Sequence, residues 1–512
     1  MVIVAVAVAL GAAAQALTTG VTSAEVVTQK QSVDKTAVLR FALAIVDQGG
    51  SSLDPANMPP NPVNAQWMDQ IYDVMIHDTR DGKGSPGLAT KWSAVDASTA
   101  ELTLRDGVKF TDGTPFNAAA VKAAWDRVVA TDQTANPSEV DAISNVEAVD
   151  DHTVRVHFKQ PVAQSFLDVT VHHSQILAVP SPAAVAAGTL ASKPVGAGPY
   201  VLDGYTKDQK VTLTKNPDYW NPKAQLLAGF EFTQAATGVP AVNALQAGTA
   251  DLIWTIPSDS VATLKKTPGL EVTAVPGTRV LDLSFCATSG VFANKDARVA
   301  VQYALDRNAI NDGAFSGEAL PWQTAIGPTS EFYNKKLNKT YSYNVKKAKE
   351  LLAKAGVADG TTISGYANSA APQPTIAEIV QAQLKKVGLN LQFTVTTNFV
   401  EDALRAKPDV VFVALDPAFF GMAFGGQASV LNVCSWSNPT VQADLLAMQD
   451  PTKTMTERQK AADEFQEIIL DESPVVVTVL TPATAAHKDN VKGIETIAVP
   501  YGPNLDTVYV TK

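Results

Sequence analysis

The sequence predicts two α/β lobes, the first of which carries an α+β insertion. Three observations favour this fold. A chain of 512 residues exceeds what one hydrophobic core normally organises. Helix and strand patterns alternate in the later part of the chain, and a block of short strands and turns precedes them. A cleft between two such lobes is the default place for a ligand.

Composition narrows the class of protein. Hydrophobic side chains make up 46% of the chain and charged side chains only 18%, which excludes intrinsic disorder. The 31 glycines and 30 prolines are average usage and exclude a collagen-like or low-complexity chain. The formal net charge is −11, and the sequence has no concentrated Lys/Arg block. Nucleic acid and anionic membrane surfaces are therefore not expected as partners.

The N-terminal segment predicts export. Residues 2–17 are almost entirely Val, Ala, Ile and Leu, a run too short for a membrane span but typical of the apolar region of a signal peptide. Small residues at the −1 and −3 positions predict cleavage after Ala24, so that residues 1–24 form the signal peptide. No cysteine lies near the predicted cleavage position, so no lipid-anchor site is predicted. A buried first strand or helix is the alternative.

The first half of the chain predicts strands, a meander and one well-marked helix. Apolar residues alternate from Leu39 to Ile45, which is the period of a strand. Residues 88–110 read as short extended segments separated by Asp- and Gly-containing turns. Asn117 is placed to cap a helix, and residues 153–159 alternate again as a strand.

The later half predicts alternating helices and strands. Asn344 and Thr375 are placed to cap helices that end at Gly356 and Gly388, and Thr456 opens a further helix. Strands buried on both faces are predicted from the apolar runs at 410–415 and 475–480. The same helix, glycine, strand order occurs once earlier, at 240–256.

The sequence lacks the motifs of common catalytic and metal sites. It contains no G-x-S-x-G elbow, no phosphate-binding P-loop, no H-E-x-x-H and no G-x-G-x-x-G that opens a helix. The adjacent His172 and His173 would point to opposite faces of a strand and could not share one ion. Two cysteines without a C-x-x-C pair exclude structural zinc and allow at most one disulfide. We expect no catalytic residue, no metal and no cofactor.

Segments spread along the chain resemble the family 5 extracellular solute-binding proteins of ABC transporters, which include binders of peptides, dipeptides, opines and nickel. The longest similar runs are GLATKW at 87–92 and LTLRDGVKFTDGTPF at 102–116. Ala197 stands where the family normally has Thr. Further similar segments follow in the family's order at 53–55 (LDP), 194–200 (PVGAGPY), 216–220 (NPDYW), 247–251 (AGTAD), 298–307 (RVAVQYALDR) and 348–356.

The resemblance implies a two-lobe periplasmic-binding-protein-like fold of the large type II class. It assigns residues 37–283 and 481–512 to the first lobe, with the inserted subdomain at about 72–195, and residues 284–480 to the second. Two hinge crossings are expected, near Leu283–Cys286 and near Val479–Pro482. The implied protein is a monomeric extracytoplasmic receptor that captures a small solute, peptide-like or another organic compound, and delivers it to an ABC permease. A secreted hydrolase with unrecognised catalytic carboxylates is the alternative.

Candidate ligand contacts come from the loops at strand ends. Core packing is the alternative for each of the large aromatic side chains among them. The candidates are Gln48, Ser51, Trp254, Trp322, Asp416, Phe419, Phe420, Asn432 and Trp436. Their aromatic character favours a partly apolar or ring-bearing solute.

The resemblance also bears on the ligand and on the cysteines. In oligopeptide-binding members an Asp four residues before a Pro pairs with the ligand's ammonium, and Val413 stands at that place before Pro417. Ordinary peptides are therefore expected to bind poorly, with Asp416 left as a partner for a cation. Some peptide binders carry one disulfide in the second lobe, which favours a bond between Cys286 and Cys434 in an exported chain, two buried thiols being the alternative.

Overall fold

A computed structural model gives the fold. It describes residues 32–43, 53–57, 62–77, 79, 84–131, 138–168, 170–172, 177–207, 209–235, 238–254, 256–328, 330–369, 372–415, 420–426, 428–450, 453–494 and 504–512. The predicted signal peptide lies outside these residues.

The strands of the described residues form one large sheet and three small ones. In chain order the strands are β1 (Val38–Leu43), β2 (Ile76–His77), β3 (Ser85–Pro86), β4 (Ala89–Asp96), β5 (Thr99–Leu104), β6 (Ile143–Ala148), β7 (Thr153–Phe158), β8 (Tyr200–Thr206), β9 (Lys210–Lys215), β10 (Gly229–Gln234), β11 (Leu252–Trp254), β12 (Leu270–Phe285), β13 (Leu320–Pro321), β14 (Thr361–Asn368), β15 (Leu389–Thr396), β16 (Val410–Leu415), β17 (Val475–Lys488), β18 (Val491–Lys492) and β19 (Tyr509–Val510). The large sheet has the order β15-β14-β16-β12-β17-β11-β1-β10-β9-β8, with β13 paired to β17.

Helices cover the large sheet and the insertion. They are α1 (Pro62–Tyr72), α2 (Ala118–Val129), α3 (Ser138–Asp141), α4 (Ala163–Asp168), α5 (Pro182–Ala186), α6 (Val239–Gln246), α7 (Ser258–Leu264), α8 (Lys295–Ala304), α9 (Arg307–Phe315), α10 (Val345–Lys354), α11 (Gln373–Lys386), α12 (Phe399–Ala406), α13 (Phe420–Phe424), α14 (Pro439–Gln449) and α15 (Met455–Glu472). Among the residues described, none of these helices combines the length and the apolar composition that a membrane span requires.

The insertion in the first lobe is a four-stranded antiparallel sheet packed on α2. Its strands lie in the order β4-β5-β7-β6, and the apolar core around it includes residues from Ala56 to Ala197. Asn117 caps α2 as predicted, because its side chain accepts a hydrogen bond from the Ala120 amide at 3.0 Å. Gly107 and Gly113 occupy the two predicted turns with φ of 72° and 85°, a conformation that favours glycine.

Three local predictions in the chain need correction. Helix α11 begins at Gln373, before Thr375, because a proline in its first turn already has helical φ. Helix α15 is capped by Thr454, not opened by Thr456, because Thr454 and Glu457 form a capping box. His172 lies in a short 3-10 helix, Thr170–His172, and not on a strand.

Strands β12 and β17 run through both lobes. Residues 270–276 pair with residues 482–488 inside the first lobe, and residues 280–284 pair with residues 475–480 inside the second. The register breaks between these blocks, where residues 277–279 lie opposite Thr481. The buried core also changes there, since Val280 and Leu480 pack in the second lobe and Ala483 packs in the first.

The break in register is the place where both strands can bend. A Cβ atom on Gly277 would lie 2.5 Å from the carbonyl oxygen of Thr481, so the close approach of the two strands requires glycine. We therefore place the first crossing at 277–279 in preference to Leu283–Cys286, because residues 283–285 pair with Val410–Phe412 within the second lobe. Thr481 lies inside the expected second crossing, Val479–Pro482.

Candidate ligand-binding site

The carboxyl ends of strands from both lobes point toward the crossing. In the first lobe β11 is antiparallel to β17, and its last residue, Trp254, pairs with Ala485 near the break; β1 is parallel to β11 and ends at the same edge. In the second lobe β16 is antiparallel to β12, and its last residue, Leu415, pairs with Val280. The carboxyl ends of β1, β11 and β16 therefore lie at one level, and ligands of α/β sheets bind at such ends.

The predicted contact residues divide into two groups. Gln48, Ser51, Asp416 and Phe419 lie outside the described residues, in the segments that follow β1 and β16. Trp254 is half-buried at the end of β11 and packs on the core of the first lobe. The remaining four residues lie together in the second lobe, on one face of its sheet, and are Trp322, Phe420, Asn432 and Trp436.

The aromatic residues of the second group form a buried cluster. Trp322 stacks on Tyr333 with ring centroids 5.4 Å apart and donates its indole N–H to the Ile326 carbonyl at 3.2 Å. Phe420 and Trp436 pack around Phe424, at 5.9 and 6.3 Å between centroids. The other four aromatic side chains of the cluster are buried, namely Trp322, Phe420, Phe424 and Trp436. In this structure these rings pack in the core of the second lobe.

Asn432 holds the loop that carries Trp436. Its amide donates to the Trp436 carbonyl at 2.8 Å, and its carbonyl accepts from the Trp436 amide at 2.8 Å. Both polar atoms of the side chain are therefore engaged within the loop. The Ser284 hydroxyl of β12 donates to the Leu431 carbonyl at 2.6 Å and ties the same loop to the sheet.

The two cysteines are joined in a disulfide that adds a covalent tie at this loop. Cys286, just after β12, bonds Cys434 across 148 residues, with Cα atoms 5.0 Å apart. Thr288 donates its hydroxyl to the Cys434 carbonyl at 2.8 Å. The bond fixes the loop that carries Trp436 to the end of a central strand.

Sequence reasoning missed one charged residue beside this cluster. Asp282 of β12 lies directly opposite Val413 of β16 in the antiparallel register, and opposite Val477 of β17 on its other side. The neighbours of Asp282 at i−2 and i+2, Val280 and Ser284, contact the aromatic side of the sheet, so its side chain shares that side. The signal was available, since Asp282 is the one ionisable residue in the run 280–285, whose other members are apolar except Ser284.

A bulge in β17 lies next to Asp282. Leu281 pairs with Val479 and Asp282 with Val477, which leaves Thr478 as an extra residue. The Thr478 hydroxyl donates to the Leu281 carbonyl at 2.7 Å, and the Thr478 carbonyl accepts from the Trp322 amide at 3.1 Å. Bulges of this kind re-aim side chains and are common beside functional sites.

Burial shifts the pKa values of two ionisable side chains in this region, Asp282 and Arg307. Burial raises the pKa of Asp282 well above its usual range, and no charged group of the described residues opposes the shift. Burial also lowers the pKa of Arg307 to about 10. The Arg307 guanidinium donates to the carbonyls of Val477 and Trp322 at 2.9 Å, so it braces the backbone and makes no ion pair with Asp282.

The histidines of the described residues do not assemble a metal site. No cluster of three or more His, Cys, Asp or Glu side chains suited to a metal ion occurs within the part of the chain that the structure describes. His77 instead lies between the carboxylates of Asp73 and Asp506, at 3.3 and 2.7 Å.

Two lobes joined by two crossing strands, with strand ends of both lobes directed toward the crossing, define a two-lobe binding protein of the periplasmic type. Residues 83–425 match the sequence model of the family of bacterial extracellular solute-binding proteins, family 5. The chain belongs to this family.

Similar proteins agree in sequence and in fold. The chain is 31% identical over 421 residues to the glutathione-binding protein GsiB of Shigella boydii, covering 78% of this chain and 80% of that protein. Among solved structures it is similar to the periplasmic binding protein AgaA in complex with agropinic acid, from A. tumefaciens R10, with a TM-score of 0.74 and 25% identity over 93% of this chain and 99% of the other. DppA of Helicobacter pylori in complex with the peptide STSA gives a TM-score of 0.73 and 25% identity, over 93% and 98%.

These likenesses settle the general role. The chain is a solute-binding protein of ABC importers and not an enzyme, and it is homologous to glutathione-, peptide- and opine-binding proteins. The hydrolase alternative has no support from the comparisons. Proteins of this family act outside the cytoplasm and deliver peptide-like ligands to ABC permeases.

Proposed function

We propose that the mature chain is an exported monomer that closes its two lobes around one small peptide-like solute and presents the closed form to an ABC permease. The observation that carries this proposal is the convergence of strand ends at the crossing. The carboxyl ends of β1 and β11 in the first lobe and of β16 in the second lie on either side of the break in β12 and β17.

Closure follows from differential affinity. A solute that contacts both lobes only when they are closed stabilises the closed state, and the bend is absorbed by residues 277–279 and Thr481. The closed state then differs in shape from the empty protein. A permease that recognises this shape takes up loaded receptors in preference to empty ones.

The proposed contacts come from both sides of the crossing. From the first lobe they are Gln48, Ser51 and Trp254, and from the second they are Trp322, Asp416, Phe419, Phe420, Asn432 and Trp436. A compound of a few residues' length suits this set, since the relatives bind glutathione, a short peptide and agropinic acid. Micromolar to nanomolar affinity corresponds to about 8 to 12 kcal/mol, which a few buried contacts supply without a covalent step.

Native mass spectrometry of the purified protein tests this proposal. The protein is stripped of bound compounds by unfolding and refolding, then exposed to the small-molecule fraction of yeast extract and measured again. We expect one adduct of a few hundred daltons per chain that survives exchange into volatile buffer. A refolded protein that takes up no compound from the mixture would contradict the proposal.

Export is tested separately. N-terminal sequencing of the protein recovered outside the cytoplasm is expected to begin just after Ala24. A mature chain that still begins at Met1 inside the cytoplasm would contradict export.

A further inference from the structure

Asp282 is a buried carboxylate for which the described residues provide no partner. Only 3% of the residue is exposed, and its Oδ1 atom is fully buried with no hydrogen-bond donor. No hydrogen bond or ion pair to either carboxylate oxygen is found within the described residues. Buried polar groups of native proteins are nearly always paired, so an exception of this kind calls for an explanation.

The surroundings of Asp282 would suit the apolar part of a bound molecule. Val413 and Val477 flank it on the two neighbouring strands, and the aromatic cluster around Trp322 lies on the same side of the sheet. Asp282 is two residues from Val280, where β12 enters the second lobe. At about 3.3 Å per residue the carboxylate lies roughly 7 Å inside the edge at which the strand ends of both lobes meet.

The arrangement is unfavourable for the empty protein. An isolated carboxyl group in an apolar site either stays protonated or leaves a charge without compensation, and both lower stability relative to an apolar residue of similar size. Folding alone gives no reason to have Asp at this position. A cation that arrives with a ligand would pair with the group and remove the penalty.

We propose that Asp282 receives the cationic group, an ammonium or guanidinium, of the solute that this receptor binds. The inference rests on the proposed function, since it assigns one contact in the same site. A single carboxylate among valine and aromatic side chains matches one cation attached to a partly apolar compound. Among the described residues, no cluster of acidic side chains suited to a metal ion includes it.

This assignment revises the expectation drawn from β16 alone. Val413 leaves that strand without an acid, but the register sets Asp282 directly across from it on β12. The cation of the solute is therefore approached from the neighbouring strand. Amine-bearing compounds become the expected class, bound in a different orientation from peptides held by a carboxylate on β16.

Two variants and a matched control test the proposal. Asp282→Asn keeps the shape and removes the charge, and Asp282→Leu also removes the polar atoms. The control is Asp444→Asn on α14, since Asp444 is likewise a buried Asp of the second lobe with an unpaired oxygen. Thermal unfolding of the empty proteins shows first that each variant folds, and we expect both Asp282 variants to unfold at or above the wild-type temperature.

The refolded proteins are then exposed to the small-molecule fraction of yeast extract, and the retained compound is identified and titrated calorimetrically. We expect wild type and Asp444→Asn to retain the same amine- or guanidine-bearing compound, and both Asp282 variants to bind it at least about 30-fold more weakly. A retained compound without a cation, or binding by Asp282→Asn and Asp282→Leu that is as tight as that of wild type, would overturn the assignment while leaving the receptor function intact. Failure of wild type to retain any compound would instead refute the receptor function.

Titration in two buffers with different heats of ionisation adds a readout that a structural role would not move. If the cation displaces the proton of Asp282, wild type releases protons on binding below neutral pH and Asp282→Asn does not. Equal proton release by both proteins would count against Asp282 as the partner.

Discussion

Removing the disulfide should destabilise the second lobe by an amount that can be worked from the loop it closes. The bond between Cys286 and Cys434 spans 148 residues. For a loop of this length the chain-entropy model gives about 5 kcal/mol at 25 °C, an upper figure because the reduced chain keeps some structure. The expected loss on Cys286→Ala/Cys434→Ala is therefore large but below about 5 kcal/mol.

The melting temperature should fall by a corresponding amount. If the second lobe, with its roughly 200 residues, unfolds as a unit, its unfolding entropy is about 0.4 kcal/mol/K, and the upper figure corresponds to a decrease of about 12 °C. Differential scanning calorimetry of oxidised wild type, reduced wild type and the double variant measures it. The last two are expected to melt together.

A matched control separates the bond from the contacts around it. Thr288→Val removes the hydrogen bond to the Cys434 carbonyl and leaves the disulfide, so we expect a loss of only about 1 kcal/mol. Thiol titration of the denatured, unreduced protein should find no reactive group. Two reactive thiols per chain, or a double variant that melts with oxidised wild type, would refute the reasoning.

Two further predictions concern the crossing and the C-terminal segment. Gly277→Ala brings a Cβ atom to 2.5 Å from the Thr481 carbonyl oxygen, so it should lower the free energy of unfolding by about 1 to 3 kcal/mol and weaken solute binding. Gly313→Ala is the control, because its Cβ atom meets only the movable end of the Ile379 side chain. Equal effects of the two substitutions in calorimetry would argue against a crossing at 277–279. Burial alone would lower the pKa of His77, but the carboxylates of Asp506 and Asp73 raise it well above 6.5. Its contribution to stability is therefore complete below about pH 6.5 and is lost as pH rises through the raised pKa. Urea unfolding between pH 5 and 9 should show His77→Gln least stable relative to wild type at the acid end, and a constant difference would contradict the ion pair.

Much of the fold could be predicted because the signals are local. Asn117 and Asn344 cap helices through side chains three residues from the amides they bond. The turns at Gly107 and Gly113 need the φ that glycine allows. The start of α15 was missed by two residues, because two Thr residues compete for the cap and only Thr454 has Glu at the third position after it.

The site was less accessible to sequence reasoning because it depends on pairing across the chain. Val413 and Asp282 are far apart in sequence and become neighbours only through the antiparallel register of β12 and β16. The position of the first crossing depends on pairing for the same reason, since the apolar pattern of residues 280–285 does not show which lobe's sheet they join. The pairing of residues 283–285 with Val410–Phe412 favours 277–279 over Leu283–Cys286. Phe420 and Trp436 were expected as ligand contacts in loops at strand ends, and this stays a prediction. Their burial against Phe424 follows from tertiary packing that the sequence pattern does not show.

Small-angle X-ray scattering of the refolded protein, with and without the compound retained from yeast extract, tests the central claim most directly. We expect the radius of gyration to fall when the compound is added to wild type or to Asp444→Asn, and Asp282→Leu to need at least about 30-fold more compound for the same change. A scattering curve for wild type that stays unchanged at saturating compound would contradict closure of two lobes around the solute.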